Sequence, residues 1–200
     1  PLHSSAASDV YKRQRLDSGR IDKRLIAELG FGNSKVFSTT FVEQYNDAIL
    51  HISVDASGSM GGDKWTNTMT AVVAICKAAS MISGLDVVVS FRTTHYASGR
   101  NGQPLVAIGF DSRVDKFRKI ENIWPSLHPG GTTPEGLCYE AIMKDFVGGN
   151  NNRDSYFLNF SDGQPMFSGD GFEYYGDSAL HHTKKQVKEI IKKGISVMSY

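Results

Sequence analysis

Two aspartates and three hydroxyl side chains stand where the chain could gather hard oxygen donors around a metal ion. Asp55 closes a β-branched run, and Ser57 and Ser59 follow it at alternate positions in a glycine-containing turn. This spacing can direct the carboxylate and both hydroxyls toward one point. Asp162 ends a second such run within Ser-Asp-Gly, and Thr133 directly precedes a proline at a predicted helix start.

The donor set indicates the kind of cation. All five side chains offer oxygen, with no His or Cys among them, which suits Mg²⁺ or Mn²⁺ better than Zn²⁺ because the former take octahedral oxygen ligands and retain water. Thr132 is a rival for the threonine position, and the helix start at Pro134 favours Thr133. Asp-x-Ser-x-Ser alone is a weak signal, since Ser and Asp are common in turns. Agreement between three separate segments predicts the site.

Strand-like and helix-like patterns alternate along the chain and put these residues at the ends of elements. Strands are predicted at 48–54, 85–91, 104–110, 156–160 and 194–200, and helices at 65–82, 115–124, 134–146 and 178–193. This order predicts an α/β fold with an open, doubly wound sheet, mostly parallel with one antiparallel edge strand. Such sheets bind ligands beyond the carboxyl ends of their strands. The glycine- and aromatic-rich stretch 164–177 is predicted to be a loop, either a simple insertion or part of a partner surface.

The two ends of the chain do not follow this pattern. Residues 9–14, Asp-Val-Tyr-Lys-Arg-Gln, resemble the translation of a transposon-end sequencing adapter, so residues 1–14 are predicted to be a disordered artefact, with a natural disordered tail as the alternative. Residues 15–45 are predicted to be a helical and extended lead-in, and 46–200 the main domain. Because 194–200 is predicted to be a buried strand without a following turn, we expect the domain to be incomplete at its C-terminus.

Bulk properties exclude several function classes. A net charge of +1 over 200 residues gives no electrostatic argument for a nucleic-acid partner. No apolar run is long enough to span a membrane, and no membrane partner is expected. Cys76 and Cys138 lie in apolar helical patterns, and no signal-peptide pattern precedes them. Reduced cysteines predict a cytoplasmic protein, of bacterial or viral origin.

Three motifs together resemble the metal-ion-dependent adhesion site (MIDAS) of von Willebrand factor A (VWA) domains. They are Asp-x-Ser-x-Ser, Gly-Gly-Thr-Thr-Pro and Ser-Asp-Gly, and the resemblance covers about 46–200. It implies that Ser57 and Ser59 bind the metal directly, that Asp55 and Asp162 act largely through water, and that Thr133 binds directly or through water. It further implies that a carboxylate of a protein partner completes the coordination sphere.

Within that superfamily, three segments resemble the VWA subunit of cobaltochelatase, a CobT-like protein. These segments are Ser18-Gly19-Arg20-Ile21-Asp22, Val54-Asp55-Ala56-Ser57-Gly58-Ser59-Met60 and Phe160-Ser161-Asp162-Gly163-Gln164-Pro165. This resemblance implies a non-catalytic subunit that works with a ring-forming AAA-type ATPase in a chelatase-like complex.

Enzymatic functions are less well supported by the motifs. Neither serine of the turn lies in Gly-x-Ser-x-Gly, and the segment 58–65 lacks the Gly-Lys-Ser/Thr of a phosphate-binding loop. A Mg²⁺-dependent hydrolase stays open because a bound metal can activate water, although no His is placed to act as base. A cobaltochelatase subunit acting in cobalamin biosynthesis and a surface adhesin also stay open.

Overall fold

The protein is described here by a computed structural model covering residues 8–44, 46–95, 102–145, 153–169 and 171–200. The chain divides into two compact units, Pro1–Asn46 and Asp47–Tyr200. Among the described residues, no helix combines the length and the apolar character that crossing a membrane would need.

The first unit is a small antiparallel sheet. Its strands are β1 (Ser8–Leu16), β2 (Arg20–Ile21) and β3 (Phe37–Gln44), in the order β1-β3-β2. A short 3-10 helix, Ile26–Phe31, follows β2. Residues 8–14, which the sequence predicted to be disordered, instead belong to strand β1, because seven residues of this strand pair in register with β3. Residues 1–7 lie outside the described part of the chain.

The second unit contains the predicted doubly wound sheet. Its five strands are β4 (Asp47–Asp55), β5 (Leu85–His95), β6 (Gln103–Asp111), β7 (Arg153–Phe160) and β10 (Ile195–Ser199). They lie in the order β10-β7-β4-β5-β6. Every neighbouring pair is parallel except β5 and β6, which run antiparallel at the edge. The predicted α/β class and its single antiparallel edge strand are confirmed.

Helices cover the sheet, and a small hairpin lies beside them. The helices are α1 (Asp63–Ala79), α2 (Arg118–Ile123), α3 (Glu135–Asp145) and α4 (Gly176–Lys192), with short 3-10 helices at Gly58–Met60 and Trp124–Ser126. Strands β8 (Phe167–Gly169) and β9 (Phe172–Tyr174) form an antiparallel hairpin. The loop predicted at 164–177 therefore needs correction, because burial of Phe167 and Tyr174 orders its middle as a hairpin.

Two apolar clusters pack the helices against the strands of the sheet. The larger one joins the inner stripe of α1, including Met69 and Val72, to β4 and β5 side chains such as Ile52 and Val54. The other contains Phe157 of β7 with residues of α3, α4 and β10. Since the last five residues of β4 are all buried, its carboxyl end delivers Asp55 into a fixed position.

Candidate metal centre

Asp55 is the most constrained donor of the candidate site. Its side chain lies at the carboxyl end of β4, and the residue is 0% exposed. One carboxylate oxygen, Oδ1, accepts a hydrogen bond from the backbone N–H of Ser57 at 2.8 Å. The other, Oδ2, accepts one from the Ser161 hydroxyl at 3.1 Å. Both oxygens are thus oriented by groups on two different loops.

A chain of polar contacts leads from this carboxylate to the second aspartate. The Ser57 and Ser59 hydroxyl oxygens lie 3.1 Å apart, and the Ser59 hydroxyl donates to Asp162 Oδ1 at 2.8 Å. Ser57 is buried whereas Ser59 is exposed, so the chain runs from the interior to the surface. The structure therefore brings together four of the five predicted residues through direct contacts. Ser161 was not predicted, although its place in Ser-Asp-Gly was an available signal.

A lysine caps the outer aspartate. Lys64 lies in the first turn of α1, and its Nζ is 2.6 Å from Asp162 Oδ2. This ammonium group is the main reason that the pKa of Asp162 lies below its usual value, and the Ser59 hydroxyl adds to the effect. Asp162 is accordingly a carboxylate at neutral pH. The Lys64 side chain is 60% exposed, so it can leave the carboxylate without opening the core.

The loop that carries the threonines is tied to the serine loop by backbone hydrogen bonds. Gly130 N–H donates to Ala56 C=O at 2.7 Å, and Gly58 N–H donates to Gly131 C=O at 3.1 Å. Gly131 has a φ of +77°, and a Cβ there would collide with the Thr94 hydroxyl. Glycine is required at this position because both the backbone angle and the close approach exclude a side chain.

The two threonines differ in what their hydroxyls can do. Thr132 donates its backbone N–H to Thr94 Oγ1 at 3.0 Å, but its own hydroxyl is buried and has no hydrogen-bond partner among the described residues. Thr133 is buried, and its C=O accepts from the N–H groups of Met166 and Glu135 at 2.8 and 2.9 Å. A buried hydroxyl without a partner is uncommon and costly. A cation bound in contact with the Thr132 hydroxyl oxygen would give it the partner that it lacks.

These loops enclose one cleft of about 390 Å³. It is lined by Ser57 and Ser59, by residues 131–133 and 163–166, and by Tyr175 and Gly176. Within the described ranges, no cluster of three or more His, Cys, Asp or Glu side chains is placed to hold a metal. The donors here are mainly hydroxyls, which together with two carboxylates fit a hard cation such as Mg²⁺.

A buried arginine lies beneath the site. Arg92 is directly opposite Asp55 in the β4–β5 pairing, and it is 0% exposed. Its guanidinium donates to the Ser53 hydroxyl at 2.9 Å, to Glu135 Oε1 at 3.1 Å and to the Phe160 C=O at 3.1 Å. An ionised group in this position needs a counter-charge because desolvation is expensive.

Glu135, in the first turn of α3, supplies that charge. Its Oε1 also accepts hydrogen bonds from the Tyr139 hydroxyl at 2.8 Å and from Asn159 Nδ2 at 3.1 Å. Burial is the main reason that the pKa of Tyr139 lies well above its usual value, so the phenol remains a donor. The network ties the helix that follows the threonine loop to β5 and β7. No motif in the sequence predicted it.

Comparisons with known proteins show similarity of fold. No family profile and no curated protein sequence matches the chain. The pilus adhesin SpaC of Lactobacillus rhamnosus GG matches with a TM-score of 0.56 at 15% identity, over 78% of this chain and 25% of SpaC. The manganese-loaded TRAP protein of Plasmodium vivax matches with a TM-score of 0.51 at 12% identity, over 98% of this chain and 61% of TRAP. A mutant of the minor pilin PilB of Streptococcus sanguinis matches with a TM-score of 0.54 at 13% identity, over 82% and 53%.

These matches agree with the Rossmann-like α/β fold that the strand order of the second unit shows. The chain spans about a quarter of the length of SpaC. Nothing in the comparisons supports the closer resemblance to the cobaltochelatase subunit. The predicted cytoplasmic location stays a prediction, since similar structures include a pilus adhesin and a minor pilin.

Proposed function

We propose that this chain is a metal-dependent protein-binding module. Asp55, Ser57, Ser59, Asp162 and a threonine would hold Mg²⁺ or Mn²⁺, and an aspartate or glutamate of a protein partner would complete the coordination sphere. One observation carries the proposal. In the described structure, the Ser57–Ser59–Asp162 contacts and the buried Thr132 hydroxyl, which has no hydrogen-bond partner, come together at the same cleft. The manganese-loaded state of TRAP, a property of that protein, is a second reason to include Mn²⁺ beside the oxygen donor set.

For the threonine ligand we favour Thr132 over Thr133. The helix start at Pro134 favours Thr133, but of the two hydroxyls only that of Thr132 is buried without a partner in the described part of the chain. Replacing Thr132 with Val should weaken Mn²⁺ binding strongly, while Thr133→Val should change it little. The opposite order would restore the sequence-based assignment.

The protein's own residues would act mainly by holding the ligand oxygens in fixed positions. Asp55 is held by Ser57 and Ser161, so its orientation need not be established when a partner arrives. Asp162 would exchange its contact with Lys64 for one with the cation. The bound metal would supply the positive charge that attracts a partner carboxylate, and desolvation would offset much of that attraction.

The partner class follows from two separate resemblances. The cobaltochelatase-like segments favour an AAA-type ATPase, with the chain as a non-catalytic subunit of a chelatase-like complex. Similarity to the pilus adhesin SpaC instead favours a surface setting with the same carboxylate chemistry. In either setting the metal binds a protein ligand. Neither a Mg²⁺-dependent hydrolase nor a role in cobalamin biosynthesis is favoured by a specific contact among the described residues.

Co-purification tests this proposal. The tagged chain should retain partner proteins in Mg²⁺ and release them in EDTA, and Asp55→Ala should abolish retention. Asp154→Ala is the matched control, because Asp154 is exposed and lies near the opposite end of its strand. An AAA-type ATPase in the EDTA eluate would support the chelatase-like partner. Equally tight retention in EDTA would refute metal-dependent capture, and phosphoester turnover that Asp55→Ala removes would support the hydrolase.

A further inference from the structure

One wall of the candidate cleft is apolar. Met166 and Tyr175 form it, in the cleft that the serine and threonine loops also line. Their exposed fractions are 54% and 58%, high for such large side chains. Pro165, which is buried, also lines the cleft. Polar oxygens and apolar surface therefore border one space of about 390 Å³, within the range of about 300–1,000 Å³ for small-ligand sites.

This apolar wall is fixed to the threonine loop. Met166 forms an isolated antiparallel bridge with Thr133, in which its N–H donates to the Thr133 C=O at 2.8 Å. The backbone of Met166 is thereby held beside that of Thr133, which lines the same cleft. A partner that touches both sides of the cleft would not need to order this segment first.

The hairpin that follows Met166 anchors the wall to the helices. Phe167 and Tyr174 are each 4% exposed and pack in one cluster with Ala179 of α4. The Tyr174 hydroxyl also donates to the Ala179 C=O at 3.2 Å. Met166 and Tyr175 are the sequence neighbours of these two anchored residues. Their exposure is thus a property of an ordered surface.

We propose that the cleft selects a partner segment in which a carboxylate directly neighbours an apolar side chain. The inference rests on the proposed function, since the metal would bind the carboxylate. The ammonium of Lys64, which contacts Asp162, adds positive charge beside the candidate site. An apolar neighbour would cover Met166 and Tyr175, whereas a polar neighbour would leave both in water. Large side chains at the centre of an interface commonly contribute most to affinity.

Three synthetic peptides test this selection in the presence of Mg²⁺. One carries Asp between two leucines, the second Asp between two serines, and the third Asn between two leucines. We expect the Leu-flanked Asp peptide to bind about five- to tenfold more tightly than the Ser-flanked one, as partial burial of a leucine allows. The Asn peptide should bind at least tenfold more weakly than either Asp peptide.

Variants of the wall assign the preference to these residues. Met166→Ser and Tyr175→Ser should remove the advantage of the Leu-flanked peptide while leaving Mn²⁺ affinity and Ser-flanked binding unchanged. Phe172→Ser is the matched control, because Phe172 lies on the same hairpin and is 52% exposed but does not line the cleft. It should keep the full preference.

The possible failures are distinguishable. Equal affinities for the two Asp peptides would overturn the inference and leave the proposed function intact. So would a preference that survives both wall variants. If neither Asp peptide binds in a Mg²⁺-dependent way, the proposed function fails and the inference fails with it.

Discussion

Replacing Glu135 with Gln should destabilise the second unit substantially. Gln keeps an oxygen that can accept from Tyr139 and Asn159, so the main loss is the negative charge beside Arg92. Arg92 has no route to water, since it is 0% exposed. Removing one partner of a buried pair typically costs about 3–5 kcal/mol because the other charge is left uncompensated. We expect about 3 kcal/mol here, since the hydrogen-bonding shape is retained.

Urea unfolding measures this loss directly. A loss of about 3 kcal/mol corresponds to a fall of about 6–12 °C in Tm for a unit of this size. Glu189→Gln is the matched control, because Glu189 pairs with Lys192 on the exposed side of α4 and should leave the urea midpoint unchanged. The double replacement Arg92→Met with Glu135→Gln should recover part of the loss. A decrease below about 1 kcal/mol for Glu135→Gln alone would refute a buried, charged Arg92.

Three further outcomes are expected. Lys64→Met should raise Mn²⁺ affinity about two- to fivefold, because the partly exposed ammonium competes with the metal for Asp162. Lys77→Met, the control, should leave the affinity unchanged. A lower Mn²⁺ affinity in Lys64→Met would contradict this competition. Burial, aided by the charge of Arg113, lowers the pKa of His51 from 6.5 to about 4. Between these two pH values the imidazole is protonated in the unfolded chain but not in the folded one. The free energy of unfolding should therefore fall by about 1.5 kcal/mol from about pH 6.5 to about pH 5. Urea titrations of His51→Gln should show a weaker pH dependence, and a pH dependence equal to that of the wild type would contradict this. Burial raises the pKa of Cys76 and Cys138 to about 12, so at about pH 8 both thiols should react with iodoacetamide only after unfolding, and rapid labelling of the native chain would contradict this.

The parts of the fold with regular periodicity could be predicted from the sequence. Strand β4 was predicted because its β-branched run ends on Asp55, and α1 because its apolar positions recur at helical spacing. The antiparallel edge followed from the short link between β5 and β6. These features are local, so neighbouring residues determine them.

The buried ion pair could not be predicted in the same way. The predicted strand ended at residue 91, yet β5 continues through Arg92 to His95. Glu135, the partner of Arg92, is 43 residues away. Only the fold shows that the two charges meet, because no local pattern distinguishes a paired buried arginine from a solvated one.

The outer contacts of the candidate site could not be predicted from the sequence either. Lys64 has the local pattern of an ordinary surface lysine, and its contact with Asp162 spans 98 positions. The choice between Thr132 and Thr133 depends on which hydroxyl lacks a partner, and a sequence does not show that. The hairpin β8–β9 was predicted as loop because its three-residue strands are too short to produce a clear alternation.

Metal titration tests the central claim most directly. Mn²⁺ titrated into the wild-type chain and followed by calorimetry should bind with a stoichiometry of about one ion per chain. The double variant Ser57→Ala with Ser59→Ala should lose that binding, because it removes two of the proposed ligand oxygens, which lie in contact with each other and, through Ser59, with Asp162. Ser80→Ala, which alters an exposed serine at the end of α1, should bind as wild type does. Unchanged Mn²⁺ affinity in the double variant would contradict a metal centre at this cleft.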